Sequence, residues 1–166
     1  MQSLAFYDSP LGKMSIAADE EGIVGIWFCG QKYDQRSVDP HVQKQETPMI
    51  AEAKRYLDLY FTGKEPPFIP PLHLLGTPFQ MLVWRLLREI PYGSTSTYRE
   101  IAQKVACEMQ RNSMSAQAIG GAVGHNPISI IIPCHRVIGS DGSLTGYAGG
   151  IERKQYLLTL EGALRT

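Results

Sequence analysis

Short apolar and alternating runs at the start of the chain predict β-strands. These runs are Ser3–Asp8, Lys13–Ala18 and Ile23–Phe28, and turn-forming residues separate them. A helix is predicted over Pro48–Phe61, where apolar residues recur at three- and four-residue spacing behind a Thr47 cap. Strands followed by a helix indicate a small α/β unit of the α+β kind.

A proline-rich segment separates this unit from a second, mostly helical part. Residues 64–76 contain four prolines and form the predicted linker, so we expect domains at 1–76 and 77–166. The second domain has helical patterns over residues 77–90, 98–105, about 115–123 and 151–160. Residues 128–132 are apolar and β-branched and predict a strand or extended run, and residues 139–150 form a glycine-rich loop.

The two short helices at 98–105 and 115–123 have the outline of a helix-turn-helix. Their link, about residues 106–115, is longer than the three or four residues usual for that motif. Two core helices of a small bundle are the alternative, and the pattern alone favours this second interpretation.

Charge is distributed unevenly although the formal net charge is zero. Residues 1–76 carry seven Lys/Arg and ten Asp/Glu, whereas residues 77–166 carry nine and six. A polyanion, if one is bound, is therefore expected at the second domain. No apolar run reaches the roughly 18 residues of a membrane span, and the N-terminus lacks a secretory leader pattern. We expect a cytoplasmic protein without a membrane partner.

Three cysteines lie far apart, at Cys29, Cys107 and Cys134, and no Cys-x-x-Cys pair is present. An odd number of isolated cysteines argues against a disulfide framework and a structural zinc site. His41 and His73 are not spaced as metal ligands around Cys29, so we expect no metal and no cofactor. Cys29 and Cys107 are interpreted as ordinary thiols.

The segment IIIPCHR, residues 130–136, carries the strongest chemical signal. A cysteine after an apolar run is often core filler. Here Pro133 ends the run just before Cys134, and two polar residues, His135 and Arg136, follow at once. Neighbouring cations favour the thiolate, which is the nucleophilic form of cysteine. From the residues alone, a reactive Cys134 and a buried structural Cys134 are both open.

PCHRVIG, with NPISIII before it and TGYAGGIERKQYLLTLEG after it, resembles the methylated-DNA–protein-cysteine methyltransferase family, the O6-alkylguanine-DNA alkyltransferases. The resemblance runs from about residue 77 to 162. It implies a winged-helix-like helix-turn-helix in the second domain. The first domain resembles the family's ribonuclease-H-like domain in organisation only.

The resemblance implies single-use repair of double-stranded DNA that contains O6-alkylguanine, with O4-alkylthymine as a further candidate substrate. A monomer flips the base out of the duplex, and Cys134 takes the alkyl group. His135 acts as base through a water, Glu161 orients it, Asn126 fixes the loop and Tyr98 donates a proton at O6. The residues implied to contact DNA or the flipped base are Gln117, Ala118, Gly120, Gly121, Arg136, Ser140, Tyr147 and Ala148.

Each of these roles has a plainer alternative. The alternative for Tyr98 is a packed helix residue, for Glu161 an exposed helix-end carboxylate and for Asn126 a helix cap. For Arg136, a structural ion pair is favoured over a catalytic part.

Two positions depart from the family pattern. Gln117 stands where the family commonly has an arginine that fills the gap left by the flipped base, and glutamine lacks its charge and stacking plane. The link at 106–115 is longer than usual. We hypothesise that this link contacts the phosphate backbone and that Arg111 restores part of the missing charge.

Two other functions compete with repair. Alkyltransferase-like proteins share the scaffold but replace the cysteine and only sense the damaged base, and Cys134 argues against that class. A thiol hydrolase would explain Cys134 and His135 but not the helix-turn-helix outline or GYAGG.

Overall fold

The computed structural model describes residues 2–31, 35 and 38–164. The chain divides into two compact units, Met1–Leu75 with Pro127–Ser129, and Gly76–Asn126 with Ile130–Thr166. The first unit contains most of the strands and the second most of the helices, which confirms the expected mixed α/β class. Residues 127–129 fall inside the expected second domain, yet they cluster with the first unit.

The first unit is built on a four-stranded sheet. Its strands are β1 (Ser3–Ser9), β2 (Gly12–Ala18), β3 (Ile23–Phe28) and β4 (Gln43–Lys44), in the order β3-β2-β1-β4. The first three strands pair antiparallel, as tight turns between them require, and β4 pairs parallel with β1. The first three strands match the alternating runs of the sequence, whereas the two-residue β4 has no such signal.

One helix, α1 (Pro48–Tyr60), contacts β1, β2 and β3. The Thr47 side chain accepts a hydrogen bond from the Ile50 amide, so this residue is the helix cap that the sequence predicts. The apolar face of α1 is buried, and strands β2 and β3 are buried along most of their length. Burial of this apolar surface is the main source of stability for the unit.

The second unit is built from four helices and a small parallel ladder. The helices are α2 (Pro78–Leu87), α3 (Tyr98–Glu108), α4 (Ala116–Gly124) and α5 (Ile151–Leu160). Strand β5 (Ser96–Thr97) pairs parallel with β6 (Val137–Ile138). Helices α2, α3 and α4 contact one another, and the Trp84 indole of α2 donates to the Ala122 carbonyl of α4 at 2.9 Å. No helix in the part of the chain that the structure describes combines the length and apolarity needed to cross a membrane.

The strand or extended run expected over residues 128–132 is wrong. The segment forms a turn, and only Ile128 makes a ladder contact, an isolated bridge to Ile26. All five residues are buried, so the apolar pattern reflects burial rather than strand pairing. A short β-branched run gives the same pattern in either case.

The helix-turn-helix link is shorter than the sequence suggests. Helix α3 continues to Glu108, so the link to α4 covers residues 109–115. Gln110 closes α3 with a φ of +55°, and the Arg111 amide donates to the Ala106 carbonyl at 2.8 Å. This is a Schellman-type helix end, which fixes the start of the link. The link still exceeds the usual three or four residues.

Candidate active site around Cys134

Cys134 opens a single turn of 3-10 helix, Cys134–Arg136. Pro133 precedes the turn, and the Cys134 amide donates to the Ile132 carbonyl at 2.8 Å. The residue is 4% exposed. Just after the turn, β6 pairs with β5, which directly precedes Tyr98. Hydrogen bonds therefore fix the backbone on both sides of the thiol, at the point where Pro133 ends the apolar run.

The loop before Cys134 is held in a strained conformation. Ile130 has a φ of +74°, which is unfavourable for a β-branched residue. Such a conformation costs on the order of 1–3 kcal/mol and persists only when surrounding contacts impose it. The buried Asn126 side chain supplies one such contact, because its Nδ2 donates to the Ile132 carbonyl at 2.7 Å. Asn126 thus spans the turn from the end of α4 to the residue two before the thiol.

Glu161 connects the Cys134 turn to the end of α5. His135 Nε2 lies 2.6 Å from Glu161 Oε2. The Arg136 guanidinium donates to both Glu161 oxygens, at 2.8 and 3.2 Å, and also to the Ile90 carbonyl at 2.7 Å. The Gly93 amide donates to the same carboxylate at 3.2 Å. The carboxylate is therefore the centre of a buried network, which excludes the alternative of an exposed helix-end side chain.

The pKa values of this pair follow from burial and contact. Burial opposes ionisation of Glu161, but hydrogen bonds and charge from His135 and Arg136 overcome it and lower its pKa from 4.5 to about 2. Burial lowers the pKa of His135 against the opposing pull of Glu161. A neutral His135 that donates from Nε2 to Glu161 keeps Nδ1 as a proton acceptor, the form that a general base requires.

Lys154 is the functional candidate that sequence reasoning missed. Its side chain is fully buried on α5, and Nζ donates to the Val137 carbonyl and, at 3.0 Å, to the Thr145 carbonyl. Burial lowers the Lys154 pKa from 10.5 to about 8, opposed by the charge of Cys134. Burial also raises the pKa of Cys134, while the Asn126 hydrogen bond and the Lys154 charge oppose that rise. The sequence did hold a signal, because Lys154 lies three and four residues before the buried Leu157 and Leu158.

Tyr98 is the first residue of α3 and faces the glycine-rich loop. Its hydroxyl lies 2.9 Å from the Thr145 carbonyl and 3.0 Å from the Gly146 carbonyl. Burial, with a smaller contribution from Cys134, raises its pKa to about 12, so the group is a proton donor at neutral pH. Gly146 has a φ of +68°, and a Cβ there would lie 3.1 Å from the Tyr98 hydroxyl. Glycine at 146 is thus required by both conformation and space.

The residues expected on the DNA-contacting helix lie on α4. Gln117 and Gly121 are exposed, and Ala118 and Gly120 are half-buried. The Ala118 amide donates to the Ser115 side chain at 3.0 Å, which caps the helix. No hydrogen bond, ion pair or ring contact within the described ranges links these four residues to Cys134 or to the buried network around Glu161.

The other residues expected to contact DNA or the flipped base differ in how exposed they are. Ser140 is exposed, and Tyr147 and Ala148 are half-buried in the glycine-rich loop. Arg136, by contrast, is 8% exposed and committed to Glu161 and the Ile90 carbonyl. This placement argues against the expected contact of Arg136 with DNA and for the ion-pair interpretation.

The other two cysteines, Cys29 and Cys107, are half-buried and exposed respectively, and within the described part of the chain neither forms a disulfide. Among the residues that the structure describes, no cluster of three or more His, Cys, Asp or Glu is arranged to hold a metal ion. His73 instead pairs with carboxylates, with Nδ1 2.6 Å from Asp19 and Nε2 3.2 Å from Glu21.

Comparison with known proteins gives matches along nearly the whole chain. The model for the 6-O-methylguanine DNA methyltransferase ribonuclease-like domain matches residues 4–74, and that for the DNA binding domain of the same enzyme matches residues 78–163. The methylated-DNA–protein-cysteine methyltransferase of Methanosarcina acetivorans is 44% identical over 96% of this chain and 97% of its own length. That of Haemophilus influenzae is 44% identical over 94% of this chain and 84% of its own length.

Solved structures give the same match. The crystal structure of Mycobacterium tuberculosis OGT in complex with DNA superposes with a TM-score of 0.84 at 39% identity, covering 97% of this chain and 93% of that one. The crystal structure of the Mycobacterium tuberculosis O6-methylguanine methyltransferase has a TM-score of 0.82 at 39% identity, covering 100% of this chain and 96% of that one.

Proposed function

The chain belongs to the 6-O-methylguanine DNA methyltransferase family, and from this premise we propose that it repairs DNA by moving the alkyl group of O6-alkylguanine onto Cys134. The observation that carries the proposal is the buried His135–Glu161 pair, 2.6 Å apart, formed by the residue directly after the buried Cys134. Activated cysteine nucleophiles have this arrangement, in which a base is oriented by a carboxylate.

The reaction is a single displacement at carbon. The Cys134 sulfur forms a bond to the alkyl carbon as the bond from that carbon to guanine O6 breaks. The thiol proton passes through a water to His135, whose positive charge Glu161 stabilises. The departing guanine receives a proton from Tyr98, which its raised pKa keeps protonated until that step. The proton that His135 took from the thiol then returns through water to Tyr98, so that the thiol proton ends on guanine. A thioether remains on Cys134, so each molecule acts once.

Tyr98 must exchange partners during this step. In the structure its hydroxyl lies within hydrogen-bond distance of two carbonyls of the glycine-rich loop, at Thr145 and Gly146. A base that enters beside this loop would replace those carbonyls as the acceptor. The half-buried Tyr147 and Ala148 of the same loop would then line the base pocket, with Ser140 at its edge.

Helix α4 is the surface that we assign to double-stranded DNA. A Cβ added at Gly120 or Gly121 would meet no heavy atom within 4 Å, and neither residue has a positive φ. Each glycine costs a helix about 1 kcal/mol relative to alanine, and here the fold itself gives no reason for that cost. Close approach of the DNA surface to the helix backbone is a reason for glycine at these two positions. We propose that the protein binds double-stranded DNA as a cytoplasmic monomer and flips the alkylated base out of the duplex.

If α4 contacts DNA closely, replacing a glycine of this helix should raise the stability of the protein and lower its affinity for DNA. Gly121→Ala is expected to stabilise the folded protein by about 0.5–1 kcal/mol, since alanine favours the helix. The same methyl group should weaken binding to duplex DNA roughly ten-fold, because it intrudes on a close contact. Urea unfolding and fluorescence anisotropy on one preparation measure both effects. Unchanged affinity in the stabilised variant would contradict the assignment of this face.

The alkyl transfer is tested by weighing the protein. After incubation with duplex DNA that carries O6-methylguanine, intact mass should rise by one methyl group, located at Cys134 and saturating at one per molecule. Cys134→Ser is expected to gain no mass but to keep its affinity for the duplex, and Cys29→Ser is the matched control that still gains one methyl. Binding without any mass gain in the wild type would indicate a damage sensor instead. Repeated turnover of an ester or amide would indicate a hydrolase.

A further inference from the structure

A groove of about 470 Å³ lies between one face of α3 and the link that leads to α4. Arg99, Gln103 and Cys107 recur at four-residue spacing along α3 and form one wall. Arg111, Asn112 and Ser113 of the link line the other side. The small side chains of α3 that also line the groove, Ala102 and Ala106, leave the space between the walls.

The groove is positively charged. Its lining contains two arginines, Arg99 and Arg111, and no carboxylate. Within the described residues, neither guanidinium makes an ion pair or a side-chain hydrogen bond. The acidic residues of α3 are engaged elsewhere, because Glu108 pairs with Arg85 at 2.8 Å and Glu100 accepts from the Thr97 hydroxyl at 3.2 Å. Among the described residues, no carboxylate therefore neutralises these two positive charges.

The arrangement is fixed rather than a property of a loose loop. Arg111 follows Gln110, whose positive φ ends α3, and its amide is bonded to the Ala106 carbonyl. At the other end, the link runs into Ser115, which caps α4. Arg111 is thus held four residues before Ser115, the cap of α4.

We propose that this groove binds the phosphodiester backbone of the DNA strand that passes the N-terminal end of α4. This inference rests on the proposed function, because it takes α4 as the DNA-contacting helix. Arginine, asparagine, serine and glutamine are the side chains that commonly contact phosphate oxygens, and all four types line the groove. Two extra phosphate contacts also compensate for the positive charge that Gln117 does not supply on α4 itself.

The salt dependence of DNA binding tests the proposal. Each phosphate neutralised contributes about 0.9 to the slope of log K against log salt concentration. The variant Arg99→Gln/Arg111→Gln should lower that slope by about 1.8 and weaken binding in ~0.1 M salt roughly ten- to a hundred-fold. Both side chains are exposed and unpaired in the described structure, so the variant should fold normally. Anisotropy titrations of an unmodified duplex over a range of salt concentrations give the slope.

Lys104→Gln is the matched control. Lys104 is an exposed cation on α3 that does not line the groove, so its loss should leave the slope almost unchanged. An unchanged slope in the double variant overturns the proposal. So does a drop in Lys104→Gln as large as that of either single arginine variant, since general charge would then explain the effect.

Transfer from the free base separates this proposal from the function on which it rests. Methyl transfer from free O6-methylguanine, measured as mass gain at Cys134, involves no phosphate and should be equal in wild type and double variant. If free base and duplex both fail to methylate the wild type, the proposed function is wrong. If both methylate the wild type but the salt slope of DNA binding is the same in the double variant as in the wild type, only the groove assignment is wrong.

Discussion

Glu161→Gln is expected to destabilise the protein by about 3–5 kcal/mol, the cost of removing one partner from a buried ion pair. The Glu161 side chain is fully buried and receives hydrogen bonds from His135, Arg136 and the Gly93 amide. A neutral amide has one acceptor oxygen where the carboxylate has two. The variant therefore leaves the Arg136 guanidinium buried without a matching negative charge.

The same change removes the group that orients His135. Without the carboxylate, the imidazole loses the partner that fixes its Nε2–H form and stabilises its protonated state. In the fraction of the variant that remains folded at low temperature, we expect the rate of methyl transfer to fall at least a hundred-fold. General-base catalysis typically contributes that much. Single-turnover transfer measured well below the unfolding midpoint separates this loss from unfolding.

The pH dependence of stability gives a second measurement on Glu161. Its pKa is about 2 in the folded protein and 4.5 ordinarily, so the unfolded state binds the proton more readily between these values. The stabilisation from this carboxylate is therefore complete above about pH 4.5 and is lost as the pH falls towards 2. Denaturant unfolding between pH 7 and 3 should show a smaller acid-side loss in Glu161→Gln than in the wild type.

Glu152→Gln is the control for both measurements. It makes the same chemical change on the same helix at an exposed position. We expect its stability to stay within about 0.5 kcal/mol of the wild type and its transfer rate to be unchanged. If Glu161→Gln unfolds at the same denaturant concentration as Glu152→Gln, the carboxylate does not hold the network together.

The sequence was sufficient for elements that depend on local pattern. The Thr47 cap with Pro48, the alternating strands and the helix periods all act within a few residues, and these elements appear close to their expected bounds. Residues 128–132 form a turn where the sequence predicts a strand or extended run, because apolar side chains mark burial. The positive φ of Ile130 is imposed by contacts that the local sequence does not contain.

The candidate site also combines residues that a local motif identifies with residues that only the fold brings together. Cys134 and His135 are adjacent in the chain, so a motif could identify them. The partner of His135 is 26 residues away at Glu161, so the resemblance to a family predicts that pairing and no local motif does. Lys154 lies inside the segment TGYAGGIERKQYLLTLEG, but nothing in the sequence marks it as functional, because a lysine on a helix is ordinarily exposed. Its burial is decided by packing of α5 against the Cys134 turn and the glycine-rich loop.

Lys154→Met is expected to slow methyl transfer at pH 7 on the order of ten-fold or more, because it removes a buried positive charge that favours the Cys134 thiolate. Methionine retains the length and apolar stem of lysine but cannot be charged. Burial alone raises the pKa of Cys134, and Lys154 is one of the groups that oppose this rise. Without it, less of the protein carries a thiolate at neutral pH, and the rate falls in proportion.

A pH profile distinguishes this electrostatic effect from a structural one. If Lys154 acts through its charge, the rising limb of rate against pH moves to higher pH in Lys154→Met, and the rate recovers in alkaline solution. If Lys154 only holds the Val137 and Thr145 carbonyls in place, the variant lowers the rate equally at every pH. Lys154→Arg keeps the charge and should retain the wild-type limb even if its maximum rate is lower. An unshifted limb in Lys154→Met, with the fold verified by circular dichroism, would assign Lys154 to loop positioning alone, and thiolate formation would then depend on Asn126 and His135.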